Sequence, residues 1–431
     1  MSRSKLFSKN SKRTGNRSHG CRCSCICLPA AESNRYFHLL ERHPYLCSLF
    51  VCLLLNALYF GGEAYLAQNA VLLETLALLA AGAAVLWRLV RYQPQKKPAA
   101  VCVSVVYTLL VLAGAWCYHE ARHSGLWVLV GGCAVLSGLF WLTRKQYHNQ
   151  RRRVSLLLLG TSFLLKFFYV CYTPITRRQH DVGKFGDTDN HAGYITYLLQ
   201  HHQLPDFDPR GHWQFYHPPL HHMISALWLW LSEHVFGISN AAAQESLQTL
   251  SLFYAMAIVI TAYRILRHFR LEGMALYVPL AVVAFHPSFI LFSGSINNDA
   301  LSVVFILGAV LWTLKWYEKQ TWEGIVKIAL CIGLGMMTKL SSAMVAIPVA
   351  AVFLVVLVRQ QRQKNWRILG QFGGFAVICF PLGLWYPVRN LVRFGVPLTY
   401  VQEMPENSVQ YLGEQSFLSR ILDFSPHQVA S

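Results

Sequence analysis

The chain has 431 residues, 54% hydrophobic and 13% charged, with a formal net charge of +18. The charged share is about half that of a soluble domain, and the apolar residues fall in long blocks rather than amphipathic stripes. A cytosolic enzyme, a disordered chain and a secreted disulfide scaffold are excluded, which leaves an all-α polytopic membrane protein. The basic excess sits in short segments between apolar blocks, where Lys and Arg anchor cytoplasmic loops, so nucleic acid is not an expected partner.

Residues 1–44 form a basic tail with Cys21, Cys23, Cys25 and Cys27 in a C-x-C-x-C-x-C cluster. That spacing lacks the C-x2-C of a zinc site, and the tail reads as disordered and cytoplasmic. Palmitoylation and adventitious metal binding are the alternatives. No cleavable signal peptide is evident. A span needs about 20 apolar residues. Candidates lie near 45–61, 70–90, 99–117 and 125–143, forming a four-span extension over 45–150. They continue at 154–173, 247–266, 273–293, 298–316, 324–338, 340–358 and 368–388, about eleven in all, with the boundary at Lys339 the least certain.

The basic clusters at Arg91–Lys97, Arg144–Arg153, Arg264–Arg270, Lys315–Lys319 and Arg359–Arg367 agree on one side if 174–246 and the tail 401–431 lie on the other. The expectation is therefore a multi-pass protein of the plasma, inner or ER membrane, with a cytoplasmic N-terminus. Counting Pro218–Gly237 as a span would break that agreement. Its apolar stretch is short, flanked by His221, His222, Glu233 and His234, and carries Trp228 and Trp230. It is read as an amphipathic helix lying on the outer surface.

Acidic residues are unevenly placed. Of seven aspartates, five (Asp181, Asp187, Asp189, Asp206 and Asp208) lie between 174 and 217, together with six histidines. Long loops in compact proteins are functional or disordered, and the pattern from His191 to Leu199 predicts an ordered helix here. Four patterns stand out: Arg178-Gln-His-Asp181 through Asp187-Thr-Asp189-Asn-His191; Gln214-Phe-Tyr-His217-Pro-Pro-Leu220; Ser295-Ile-Asn297-Asn298-Asp299-Ala300; and Trp385-Tyr-Pro387-Val-Arg389-Asn390 through Gly395-Val-Pro-Leu398. The expected topology brings all four to one outer face, as an active site requires.

These patterns resemble the membrane-embedded GT-C glycosyltransferases, in particular the group of protein O-mannosyltransferases and lipid A aminoarabinose transferases. The resemblance covers roughly 154–400, within a membrane module of 151–400. It rests on an acidic motif in the first extracytoplasmic loop, an H-P-P-L segment opening a surface helix, an N-D pair and an R-N…F-G-x-P-L segment. One departure is Thr188, which stands where the family often has glutamate. The resemblance implies transfer of a sugar from a polyprenyl-phosphate carrier to a hydroxyl of a protein, lipid or glycan.

Inverting transfer needs a carboxylate to take the acceptor's proton, for which Asp181 or Asp187 is the candidate. The departing phosphate needs a cation, for which Arg389 and Lys339 are candidates. Asn298 and Asp299 are placed on sugar hydroxyls, His217 as orienting the acidic loop, and His191 and Asn390 among the binding residues. Asp189 reads as a helix N-cap, and Asp206 and Asp208 as turn residues. His180, Asp181, Asp187, Asp189 and His191 hold enough donor atoms for a divalent ion. They lack a rigid ligand spacing, so no metal ligand is assigned. The competing readings are a transporter or flippase of lipid-linked or polar solutes, and a non-catalytic assembly factor with the same fold. Against a transporter, the acids lie outside the apolar blocks and no internal repeat is visible.

Overall fold

The computed structural model describes residues 42–66, 150–175, 182–362, 366–398, 400 and 402. The cysteine cluster, the expected spans at 70–90, 99–117 and 125–143, the Arg178–Asp181 stretch and nearly all of the tail from 401 lie outside the described residues. The chain divides into two compact units, Met1–Cys47 and Ser48–Ser431. The first contributes only the opening of helix α1 (Pro44–Leu66); the rest of α1 and every later helix belong to the second.

Every regular element among the described residues is helical. After α1 come α2 (Gln150–Tyr172), α3 (Asn190–His201), α4 (Leu220–Trp230, running into a π turn at Leu231–Val235), α5 (Asn240–Ser246) and α6 (Gln248–His268). Next along the chain are α7 (Met274–Ala284), the short α8 (Pro287–Leu291), α9 (Asp299–Glu318), α10 (Trp322–Thr338), α11 (Ala346–Arg362, entered through a 3-10 turn at Leu340–Val345) and α12 (Arg367–Phe394). Among the described residues, five stretches are long and apolar enough to cross a bilayer: Val154–Cys171, Asn240–His268, Asp299–Glu318, Leu340–Gln360 and Arg367–Phe394. The protein is therefore all-helical and of integral-membrane type across its described part.

The expected span at 273–293 is not one helix. It breaks between Ala284 and Pro287, because Pro287 has no N–H to donate and disfavours helical backbone at the residue before it. His286 is accordingly extended, at φ −60 and ψ 126. The freed Ala284 carbonyl accepts from Ser162 Oγ at 2.8 Å and from Lys166 Nζ at 2.7 Å. Lys166 is 0% exposed inside α2 and also donates to Ser162 Oγ at 2.8 Å. An ammonium in an apolar span is costly, and here it caps the end of the interrupted helix.

Helices α10 and α12 meet through small residues. A Cβ on Gly333 would come within 2.8 Å of Leu382, and one on Gly383 within 2.8 Å of the Met336 sulfur, so both positions need hydrogen where the helices touch. Thr321 caps α10 by accepting from Gly324 N at 3.1 Å, a contact worth ~1 kcal/mol. On α12, Gln371 accepts from Trp316 Nε1 at 2.8 Å and donates to Gln320 O at 2.9 Å, tying α9 to α12. These contacts hold α9, α10 and α12 as one block, with Asp299 at the start of α9 and Lys339 just past the end of α10.

Candidate active site

Between α2 and α6 the chain forms a module of α3, α4 and the segments around them. Gly183 and Gly186 take positive φ, +70° and +91°, in the turn that leads to Asp187. Asp187 is exposed and its Oδ2 accepts from Lys184 N at 3.3 Å. The turn lies against the first turn of α3: a Cβ on Gly193 would meet the Asp187 carbonyl at 2.8 Å. Asp189 stands at the N-cap position of α3, yet its side chain makes no cap hydrogen bond. Its Oδ1 instead accepts from Trp213 N at 3.0 Å, while Asn190 N donates to Trp213 O at 2.9 Å. The expected capping role is thus corrected: Asp189 staples the loop before α4 to the start of α3. Asp208 behaves as expected, accepting from Arg210 N at 3.0 Å where it opens a 3-10 turn.

Helix α4 presents two unlike faces. Met223, Leu227 and Trp230, at helical spacing, are exposed, as are Val235 and Phe236 beyond the helix. His221, His222, Ser225, Ala226 and Leu229 are buried. The polar face therefore looks into the protein and the apolar face outward, as suits a helix lying at a lipid surface. From sequence, His221 and His222 stood at the helix's flank and outside the site. The 223/227/230 stripe was the signal for their inward direction.

Four imidazoles gather behind that face. His191 Nδ1 and His222 Nε2 lie 2.9 Å apart in a hydrogen bond. The His191 ring is 6.0 Å from that of His217 and 6.4 Å from that of His221, and His221 and His222 are 5.4 Å apart. All four are held neutral. Burial drives His191 and His222 well below the ordinary value, with neighbouring imidazoles adding to it. Enclosure and the Lys339 ammonium push His217 down to about 3. Burial takes His221 to about 4, partly offset by the Asp299 carboxylate.

No group of three or more His, Cys, Asp or Glu among the described residues is arranged to hold a metal ion. His191 Nδ1 and His222 Nε2 are instead turned on each other, 2.9 Å apart.

Lys339 completes this centre. It is the residue after α10, and its Nζ donates to Asp299 Oδ1 at 2.5 Å across to the first turn of α9. The side chains are 29% and 34% exposed, so both remain reachable. Asn298 is buried, donates through Nδ2 to Thr338 O at 3.1 Å, and leaves its Oδ1 with no partner among the described residues. His191, His217, Asn298, Asp299 and Lys339, singled out from four separate stretches of sequence, thus share one site.

Arg389 and Asn390 make contacts of their own. Arg389 Nη1 donates to Asn390 Oδ1 at 3.0 Å and Nη2 to the Pro205 carbonyl. Arg389 is thus a clamp between α12 and the loop module. Two tyrosines that lie within the sequence patterns but carry no role there connect this clamp to the imidazoles. Tyr386 on α12 donates to Phe215 O at 2.9 Å and meets the Tyr194 hydroxyl at 3.2 Å. The Tyr194 ring stacks 4.3 Å from His222, and burial holds its phenol well above the ordinary range.

Residues 217–385 match the family described as dolichyl-phosphate-mannose-protein mannosyltransferase. The chain resembles that GT-C family, as its motifs implied. The match spans less than half of the chain, opening at His217 of the H-P-P-L segment and closing at Trp385, four residues short of Arg389. It supports a membrane glycosyltransferase of the GT-C type. No curated protein and no solved structure matches the chain.

Proposed function

We propose that the protein transfers a sugar from a polyprenyl-phosphate-linked donor to a hydroxyl of a protein, lipid or glycan, with inversion, at the extracytoplasmic or luminal face. The observation that carries this reading is the meeting of Lys339, Asp299, Asn298, His191 and His217 beside an acidic loop, in the region matched by the mannosyltransferase family. A reachable ammonium among neutral imidazoles suits one anionic phosphate on an otherwise uncharged sugar.

In the reaction, the acceptor oxygen forms a bond to the anomeric carbon as the bond from that carbon to the phosphate oxygen breaks. The proton passes from the acceptor to a loop carboxylate, Asp187 or Asp181. Asp187 is exposed at the turn against α3 and free to meet an acceptor; Asp181 lies outside the described residues. The bonding electrons leave with the polyprenyl phosphate, whose added charge Lys339 meets. The partnerless Asn298 Oδ1 is an acceptor for a sugar hydroxyl, because leaving such an atom unsatisfied costs ~1–3 kcal/mol. His217 orients the loop side of the site. The apolar face of α4 lies against lipid, where the carrier chain would run.

The test is incubation of the purified protein with labelled polyprenyl-phosphate sugars and hydroxyl acceptors. Transfer that is lost in Asp187→Asn or Asp181→Asn supports the reading. Translocation of a lipid-linked sugar across vesicles with no transfer would replace it with a flippase.

A further inference from the structure

The Asp299–Lys339 pair has an arrangement that a fixed structural salt bridge does not need. Each charge is supported without the other: Asp299 lies in the first turn of α9, where the helix dipole favours an anion, and Lys339 comes directly after the end of α10, where it favours a cation. The backbone around Asp299 is held independently of its carboxylate. Asn297 Oδ1 accepts from Asp299 N at 3.2 Å, and Ser302 Oγ donates to Asp299 O at 2.8 Å. The carboxylate can therefore swing while its helix start stays in place.

The charge count around the pair is equally specific. His191 and His217, the groups that feel the Lys339 field, are neutral. His221, on the Asp299 side, is neutral as well. The Arg389 guanidinium is engaged at both terminal nitrogens with Asn390 and Pro205. The Arg389 guanidinium keeps its charge, but its partners are neutral oxygens, whereas the Lys339 ammonium is held by an anion, Asp299. A phosphodiester that binds the Lys339 ammonium meets Asp299 already on it. Two anions cannot share it without repulsion.

We propose that Asp299 is a resident counter-ion which the donor's phosphodiester displaces from Lys339, so that donor arrival anchors the phosphate and frees a carboxylate for the sugar. The proposal rests on the glycosyltransferase function for the identity of the anion. It assigns Asp299 two successive partners, Lys339 in the free protein and the donor's sugar in the complex. It also pairs the Lys339 charge in the free protein, so that the cation is masked until a ligand able to compete arrives.

The experiment measures binding of a short-chain polyprenyl-phosphate mannose to the full protein in nanodiscs. With its competitor removed, Asp299→Asn binds the probe about fivefold more tightly, the equivalent of an exposed ion pair worth up to ~1 kcal/mol, while sugar transfer falls. Lys339→Gln binds at least about tenfold more weakly. An Asp299→Asn protein that binds equally or less tightly overturns the proposal. Should that variant fail to fold, Asp299→Ser is read the same way. In the wild type, the carboxylate infrared band must shift when the probe is added, and an unchanged band also overturns the proposal. Tighter binding by Asp299→Asn with no sugar transfer by the wild type leaves the exchange standing and removes the glycosyltransferase reading. Transfer without tightening does the reverse, and a wild type that does not bind the probe removes both.

Discussion

The hydroxyls of Tyr194 and Tyr386 lie 3.2 Å apart, and Tyr386 also donates to the Phe215 carbonyl at 2.9 Å, so α12 is fastened directly to the helix that stacks on His222. Tyr386→Phe keeps the ring and removes the only atom that makes this connection. It leaves the Phe215 carbonyl and the Tyr194 hydroxyl short of a partner in a buried setting, at a cost of ~1–3 kcal/mol. The expected result is a lower midpoint of thermal unfolding in detergent. Tyr194→Phe added to it should cost less than its effect alone, because both variants break the same link. Full additivity would show that the two hydroxyls do not cooperate.

Acid should weaken the loop module. His217 and His221 are held at about 3 and about 4, below an unfolded value of about 6.5, so between those values the unfolded chain binds more protons than the folded one. Their contribution to stability is complete above about pH 6.5 and is lost as pH falls toward 4 and 3. The slope is at most ~1.4 kcal/mol per pH unit for each imidazole. Unfolding midpoints measured from pH 8 to pH 4.5 should fall on the acid side, and His221→Gln should flatten that fall. A pH-independent midpoint in the wild type would contradict the neutral cluster.

Glu245 and Gln248 brace the approach to the acidic loop. Both carboxylate oxygens of Glu245 accept from Ile175 N, at 3.2 and 3.1 Å, and Gln248 Nε2 donates to Thr173 O at 2.5 Å and to Gly294 O at 3.1 Å. One amide thus joins the exit of α2 to the stretch that delivers Asn298 and Asp299. Gln248→Leu should lower the turnover number for sugar transfer at least about tenfold, by freeing two carbonyls and loosening both sides of the site together. Gln248→Glu, which cannot donate, should fail in the same way, whereas Gln248→His should restore part of the rate. Recovery by Gln248→Glu would show that size rather than donation matters.

Two glycines give an internal contrast. Gly193→Ala places a methyl 2.8 Å from the Asp187 carbonyl and should push the acidic turn away from α3, with a loss of transfer larger than any loss of stability. Gly373→Ala, on α12 with nothing within 4 Å, should be tolerated or raise stability by up to ~1 kcal/mol through helix propensity. Transfer rates and unfolding midpoints of both variants check this. Equal effects at the two positions would remove the argument that the Asp187 turn is held by close contact.

Much of this arrangement was legible in the sequence, and the parts that were not have physical reasons. Lys339 was readable as a functional or paired cation because a lysine within apolar sequence is costly alone, but nothing in the sequence named Asp299 as its partner. The H-P-P-L segment and the N-D pair were readable as local motifs. The break at Pro287 was concealed by a hydrophobic block long enough for one span, since block length does not register one missing N–H. The contact of Arg389 with Pro205 was not legible, because the partner is a backbone carbonyl, and carbonyls exist at every position of a chain. Tyr194 and Tyr386 are 192 residues apart, and an isolated tyrosine in apolar sequence is indistinguishable from packing. Asp189 was placed correctly at the start of α3, but no residue pattern indicates which backbone amide a carboxylate will choose.

The outward stripe of Met223, Leu227 and Trp230 on α4 has a consequence for anyone handling the protein. The helix that carries His221 and His222 is seated from outside by whatever covers that stripe, which for a helix lying at a lipid surface would be the acyl chains themselves. Bilayer thickness, lateral pressure or a short-chain solubiliser would then act on the imidazoles through a single rigid turn. The medium in which the protein is kept is in that sense a component of its chemistry.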